Sequence, residues 1–102
     1  GFTCADIFNE MNSVLNKSAL TSTLTSNTVG RMGHGLGLQL TEPPSIMIND
    51  KTVLKENMIL TIEPCYEYLP GKILVIEENI LITKDGFELL TSRSPKILPI
   101  IN

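Results

Sequence analysis

The residues best equipped for chemistry in this chain are one imidazole and two carboxylates. The imidazole is His34, the single histidine, held in Gly33-His34-Gly35-Leu36-Gly37, which runs on through Leu38-Gln39-Leu40-Thr41-Glu42 to Pro43-Pro44. The carboxylates are Glu63, in Leu60-Thr61-Ile62-Glu63-Pro64, and Glu77, in Val75-Ile76-Glu77-Glu78-Asn79-Ile80. One nitrogen and two oxygen donors flanked by apolar β segments suit a divalent transition metal. Glycine on either side of His34 lets the backbone come closer to its neighbours than a Cβ would permit, which is how an imidazole is presented in a crowded site. The same residues also admit a plainer reading, a glycine-rich turn with a surface histidine and acidic residues at strand ends.

The elements that must position these groups follow from periodicity and turn chemistry. Thr3 and Asp6 form a capping box with a shortened acid, and Ile7, Phe8, Met11, Val14 and Leu15 recur at three- and four-residue spacing. They predict a helix over residues 4–16 with a core-facing stripe. From Asn16 to Val29 the composition turns to Ser and Thr and reads as a loop with at most a short turn or strand. Glu42-Pro43-Pro44 forces extended backbone and is expected to end a strand. Asn49-Asp50-Lys51 is turn chemistry, Val53-Leu54 a short edge element, and Lys55-Glu56-Asn57 another turn. Met58 to Glu63 alternates, with Met58, Leu60 and Ile62 on one face and Ile59, Thr61 and Glu63 on the other. Cys65–Leu69 and Lys72–Thr83 flank Pro70-Gly71 and are expected to pair as an antiparallel hairpin. Alternation along the second run sets Leu74, Ile76, Glu78, Ile80 and Ile82 on one face and Glu77 beside Asn79 on the other. Asp85-Gly86 signals a further hairpin with Phe87 to Thr91 returning. Pro95 and Pro99 punctuate an extended apolar tail.

Composition narrows the class. A chain of 102 residues, 42% hydrophobic, is one domain by size and can bury a core. Its net charge is −3 with no run of Lys or Arg, so neither nucleic acid nor an anionic membrane is expected as a partner. Its apolar stretches fall far short of the roughly 18 residues that span a bilayer, and the N-terminal residues lack leader features. The chain reads as soluble. Cys4 and Cys65 read as free thiols of a reducing, cytoplasmic compartment, and neither has a second soft ligand beside it.

Taken in order, Gly33-His34-Gly35-Leu36-Gly37-Leu38, Glu42-Pro43, Thr61-Ile62-Glu63-Pro64, and Ile76-Glu77-Glu78 leading into Leu81-Ile82-Thr83-Lys84-Asp85-Gly86 resemble the signature of the pita-bread metallopeptidases. This superfamily comprises methionine aminopeptidases, Xaa-Pro aminopeptidases, prolidases and creatinase. Separations of 29 residues from His34 to Glu63 and 14 from Glu63 to Glu77 are most similar to the compact prolidase, or Xaa-Pro peptidase, branch. The resemblance covers residues 30–100, and the opening helix fits the helix that precedes the signature in the family.

The resemblance implies an α+β fold: half of a pita-bread domain, a curved antiparallel sheet with a helix on one face. It implies two divalent ions, manganese, cobalt, iron or zinc, with His34, Glu63 and Glu77 as metal ligands. Glu77 would bridge the ions, and Glu63 would also carry the proton between a water and the leaving amine. Two departures accompany the match. The family's two aspartate ligands precede the histidine, whereas here only Asp6 and Glu10 do, both on the predicted helix. The chain therefore reads as the C-terminal half of a catalytic domain, inactive and weak in metal binding alone, with the missing half and further copies of itself as partners. The family's peptidases also carry a catalytic histidine where this chain has Thr41, whose hydroxyl offers one hydrogen bond and no positive charge. The expected substrate is a small peptide or amide. A peptide- or protein-binding module of the same fold, and a metal-dependent hydrolase or lyase acting on a non-peptide substrate, are the alternatives.

Overall fold

The computed structural model describes residues 1–17 and 30–101, so the Ser/Thr stretch expected to be a loop lies, from residue 18 onward, outside the described residues. The described chain is α+β. Helix α1 (Cys4–Lys17) is followed by strands β1 (Gly33–Gly35), β2 (Glu42–Ser45), β3 (Ile59–Ile62), β4 (Cys65–Leu69), β5 (Lys72–Val75), β6 (Glu78–Thr83) and β7 (Gly86–Leu89). Five strands form an antiparallel sheet in the order β2-β1-β3-β6-β7, and β4 pairs with β5 in a separate ribbon.

The helix starts where its cap dictates. Thr3 N–H donates to Asp6 Oδ2 at 2.7 Å, the Thr3 hydroxyl donates to the same oxygen at 2.8 Å, and Asp6 N–H returns a bond to Thr3 Oγ1 at 3.3 Å. Donation from Thr3, its N–H foremost, holds the Asp6 carboxyl below the usual range. The predicted stripe faces a core except at Val14, which is exposed: Phe8 packs with Met32 and Ile46, and Ile7, Met11, Leu15 and Ile62 close around them. Ile62 belongs to the face of β3 that also carries Leu60, and Leu60 is paired with Ile80 of β6. Both are buried, and Ile62 is the residue of this sheet face that packs into the helix cluster. Burying each such side chain contributes about 1.5–3 kcal/mol.

Three details of the sequence reading are corrected. Pro43-Pro44 lies inside β2 instead of ending a strand, because β2 is the sheet edge and a proline's missing N–H costs no ladder bond on the open side. A register shift between His34 and Gly35 accommodates the prolines. Lys72–Thr83 is two strands, not one. The run breaks at Ile76-Glu77, where the chain leaves the β4-β5 ribbon and joins the large sheet. The last hairpin turns on Lys84-Asp85, with Thr83 paired to Gly86, so its return strand begins at Gly86 and ends at Leu89. The Val53 edge element is a single bridge to Thr3.

Asp50 ties the pieces around the helix start. Its carbonyl accepts from Ala5 N–H at 2.9 Å, while its carboxylate accepts from Ser45 N–H at 2.8 Å and Thr52 N–H at 2.9 Å. The Thr52 hydroxyl first, then the Thr52 and Ser45 amides, hold the Asp50 carboxyl below its ordinary value. Cys4, the first residue of α1, is free and buried, and burial pushes its thiol pKa up, with the Asp50 charge adding to the effect. A depressed carboxyl favours the fold above its unfolded pKa of about 3.9 and loses that contribution as pH falls through the lower folded value. Asp50→Asn should therefore cost about 1 kcal/mol at pH 7 and flatten the acid limb of stability below about pH 4. Urea unfolding at a series of pH values checks it, and an unchanged acid limb would show that Asp50 is not a fastening point.

Candidate metal centre

His34 sits in the middle of β1, between β2 and β3, and only 6% of it is exposed. The flanking glycines are there because the neighbours come so close. A Cβ on Gly35 would fall onto the Pro43 carbonyl and within 2.9 Å of the Glu42 oxygen. One on Gly33 would meet the Thr61 carbonyl and lie 3.3 Å from Ile46 Cγ1. Buried in a strand, His34 is no surface histidine on a turn.

Register then decides which groups share its face. His34 pairs with Thr61 of β3, and Thr61 pairs with Asn79 of β6, so the three residues form one row across three strands. This row lies on the face opposite Leu60, Ile62 and Ile80, and hence away from the helix. The predicted alternation of β3, with Thr61 and Glu63 opposite Leu60 and Ile62, agrees with the register. Thr61 is 1% exposed, and its hydroxyl donates to Asn79 Oδ1 at 2.8 Å.

Glu63 is the first residue beyond β3, held by donation of its N–H to the Met32 carbonyl at 2.9 Å. Its side chain returns toward His34, placing Oε1 3.4 Å from the imidazole Nε2. The other ring nitrogen, Nδ1, is 2.8 Å from the Gly35 carbonyl. A carbonyl oxygen only accepts, so Nδ1 carries the proton, and in the neutral ring Nε2 is an acceptor. Two acceptors thus face each other at 3.4 Å. That arrangement calls for a cation between them, either a second proton on the ring or a metal ion. Two donors each about 2.1 Å from a tetrahedral ion are themselves about 3.4 Å apart, so the pair fits a divalent metal. Anchoring of the remote ring nitrogen by a carbonyl is the usual partner of a metal-binding histidine. Arg31 brings its guanidinium to 3.9 Å from the same Glu63 oxygen.

Glu77 stands differently. The ladder between β3 and β6 ends at Ile62 opposite Glu78. One step further, each chain departs into the β4-β5 ribbon, so Glu63 and Glu77 flank the fork where four strand ends meet. Glu77 is exposed, and among the described residues no three His, Cys, Asp or Glu side chains cluster as metal ligands do. The structure brings His34 and Glu63 together and leaves Glu77 apart from them. Thr41 is exposed at the approach to the edge strand β2, beside Glu42, which pairs with Gly35. Arg31 and the Thr61–Asn79 bond are additions to the residues singled out from sequence. The alternation that placed Glu63 beside Thr61 and Glu77 beside Asn79 already held the signal for the latter pair, but only the register shows that the two polar residues meet.

Comparison with known proteins gives the setting. The family model described as metallopeptidase family M24 matches residues 1–84. The Xaa-Pro dipeptidase of Pyrococcus furiosus is 45% identical over 69 residues, which are 66% of this chain and 19% of that protein. That of Lactobacillus delbrueckii subsp. lactis is 43% identical over 75 residues, 71% of this chain and 20% of that protein. Among solved structures, the prolidase from Pyrococcus horikoshii OT3 superposes with a TM-score of 0.79 at 31% identity, covering 96% of this chain and 27% of that one. The Xaa-Pro dipeptidase from Bacillus anthracis gives 0.80 at 31% identity over 99% of this chain and 27% of that one. The chain spans about a fifth of the length of the curated relatives it matches. No helix among the described residues is long and apolar enough to cross a membrane.

The close approach of β1 to its neighbours generates a test. Gly35→Ala should drive β2 away from β1 and cost about 1–3 kcal/mol as an overpacking change. A urea midpoint equal to the parent's would mean that the glycine is not required by packing.

Proposed function

The chain belongs to metallopeptidase family M24, and we propose that it contributes a histidine and two glutamates to the two-metal site of a larger Xaa-Pro peptidase-like hydrolase. The observation that carries the proposal is the pair of opposed acceptors, His34 Nε2 and Glu63 Oε1, at 3.4 Å with Nδ1 already committed to Gly35. His34 and Glu63 would hold one ion, and Glu77, entering from the other side of the strand fork, would join it to a second. The ions would be manganese, cobalt, iron or zinc. When bound, such ions acidify a water and polarise the scissile carbonyl. Glu63 would be the basic group that accepts the proton of that water and hands it to the leaving amine. The Gly35 carbonyl, accepting from Nδ1, holds the imidazole in the tautomer that leaves Nε2 free to bind an ion. Thr41 stands where the resemblance expects a histidine, and loss of an oxyanion donor typically costs about 10²–10³ in rate. A cleavage of a non-peptide C–N bond by the same groups is therefore the second reading, and Thr41 is the residue that favours it.

Within this chain the acids preceding His34 are Asp6 and Glu10, and both are spent on α1, Asp6 as its cap. The complementary aspartates would come from elsewhere in the longer protein. Alone, the chain should bind divalent metal weakly and turn over no dipeptide. The groove between α1 and β6-β7, lined by Ile7, Met11, Ile62, Ile80, Ile82 and Phe87, is an apolar surface that would drive self-association when uncovered. A homo-oligomer in light scattering is the expected outcome, and a monomer across a wide concentration range would oppose it.

Roles divide the two carboxylates. In the whole protein, Glu63→Gln should keep at least one bound metal and lose turnover, whereas Glu77→Gln should lose metal first and activity as a consequence. Metal content after dialysis, alongside a rate assay on Xaa-Pro dipeptides, decides between them. Full activity in Glu63→Gln would remove the proton carrier from the mechanism.

A further inference from the structure

The Thr61–Asn79 hydrogen bond has no place in the chemistry above, yet it sits at a point where the geometry of the site is decided. It joins β3 to β6 on the face that carries His34, and Thr61 is the direct neighbour of His34 across β1-β3. One residue beyond it the backbone ladder stops, at Ile62 opposite Glu78. Two residues beyond it along each chain, just past the strand ends, come Glu63 and Glu77, and it is Glu63 that turns back to His34. Past the Ile62–Glu78 pair the two chains are no longer laddered to each other in the large sheet, because β4 and β5 leave as a separate ribbon. Among the described residues, Thr61–Asn79 is thus the side-chain hydrogen bond that joins β3 to β6 just before the fork.

We infer that Thr61 and Asn79 are positioning residues: their hydrogen bond locks the end of β3 against β6 so that Glu63, just beyond it, stays facing His34. The inference rests on the metal-binding reading for its consequence, though the fastening itself is a property of this chain. A buried hydroxyl that has given its proton to an amide oxygen cannot rotate away without leaving that oxygen unsatisfied. The end of the ladder, which would otherwise fray, is therefore held in one arrangement. The ordinary alternative is that Thr61 is a satisfied polar residue of the sheet interior whose loss lowers stability uniformly and does nothing local.

Thr61→Val preserves shape and strand propensity and removes the donor, Asn79→Val removes the acceptor, and Thr61→Ser restores the donor without the methyl. Two readouts on the purified chain separate the possibilities: free manganese by electron paramagnetic resonance during titration, and amide hydrogen exchange at Glu63 against Asn57, whose N–H bonds to Ile82 at the other end of the sheet. Both valine variants should weaken manganese binding about tenfold, in the range expected when the support of a metal ligand is lost. They should speed exchange at Glu63 about tenfold while leaving Asn57 nearly unchanged, and the double variant should lose no more than either alone. Thr61→Ser should behave like the parent in both readouts despite a lower urea midpoint. If either valine variant fails to fold, the remaining one together with Thr61→Ser carries the comparison. Equal acceleration at Glu63 and Asn57, or affinity in Thr61→Ser falling with its stability, would overturn the positioning role. Selective acceleration at Glu63 in a chain that binds no manganese would uphold the fastening and count against the metal reading instead.

Discussion

The arrangement depends first on the antiparallel register of three strands. Because β1, β3 and β6 pair with His34, Thr61 and Asn79 abreast, an imidazole is set in a row of polar side chains on one face while Leu60, Ile62 and Ile80 bury the other. A one-residue slip would exchange the faces and put Glu63 against the helix. The apolar contacts of α1 with Met32, Ile46 and Ile62 therefore protect the site indirectly, since they make the slipped register expensive. The glycines on either side of His34 serve the same end. They let β1 lie close against both neighbours, and the imidazole between them is buried.

A second constraint acts at the fork. A sheet that simply continued would carry Glu63 and Glu77 along its surface as an ordinary cross-strand pair of like charges, a destabilising arrangement. The departure of β4 and β5 as their own ribbon frees these two residues from ladder pairing, and Glu63 turns to His34 instead. In this chain, Arg31 supplies a nearby positive charge to Glu63.

Much of this was legible in the sequence because it is local or periodic. The cap at Thr3 and Asp6, the stripe of α1, the alternation of β3 and the reversal at Pro70-Gly71 each depend on residues a few positions apart. The separations of His34, Glu63 and Glu77 resembled one superfamily, and the match to metallopeptidase family M24 agrees with it. What escaped depends on pairing partners. Pro43-Pro44 looked like a strand end because nothing in the run shows that β2 is an edge with no outer neighbour. Lys72–Thr83 looked like one strand because its apolar alternation continues through Ile76-Glu77, while the break is set by which strand lies alongside. The Thr61–Asn79 bond joins residues 18 apart in the chain and is visible only once the register is known.

The central claim is that the opposed acceptors of His34 and Glu63 hold a divalent ion. A single histidine makes this open to direct observation, since its imidazole gives one set of proton and nitrogen resonances. Manganese titration followed by nuclear magnetic resonance should broaden the His34 ring signals, Nε2 before Nδ1, together with the Glu63 side chain, at concentrations that leave Asp6 and Asp85 sharp. Broadening spread evenly over the exposed carboxylates, with the His34 ring unaffected, would contradict the account.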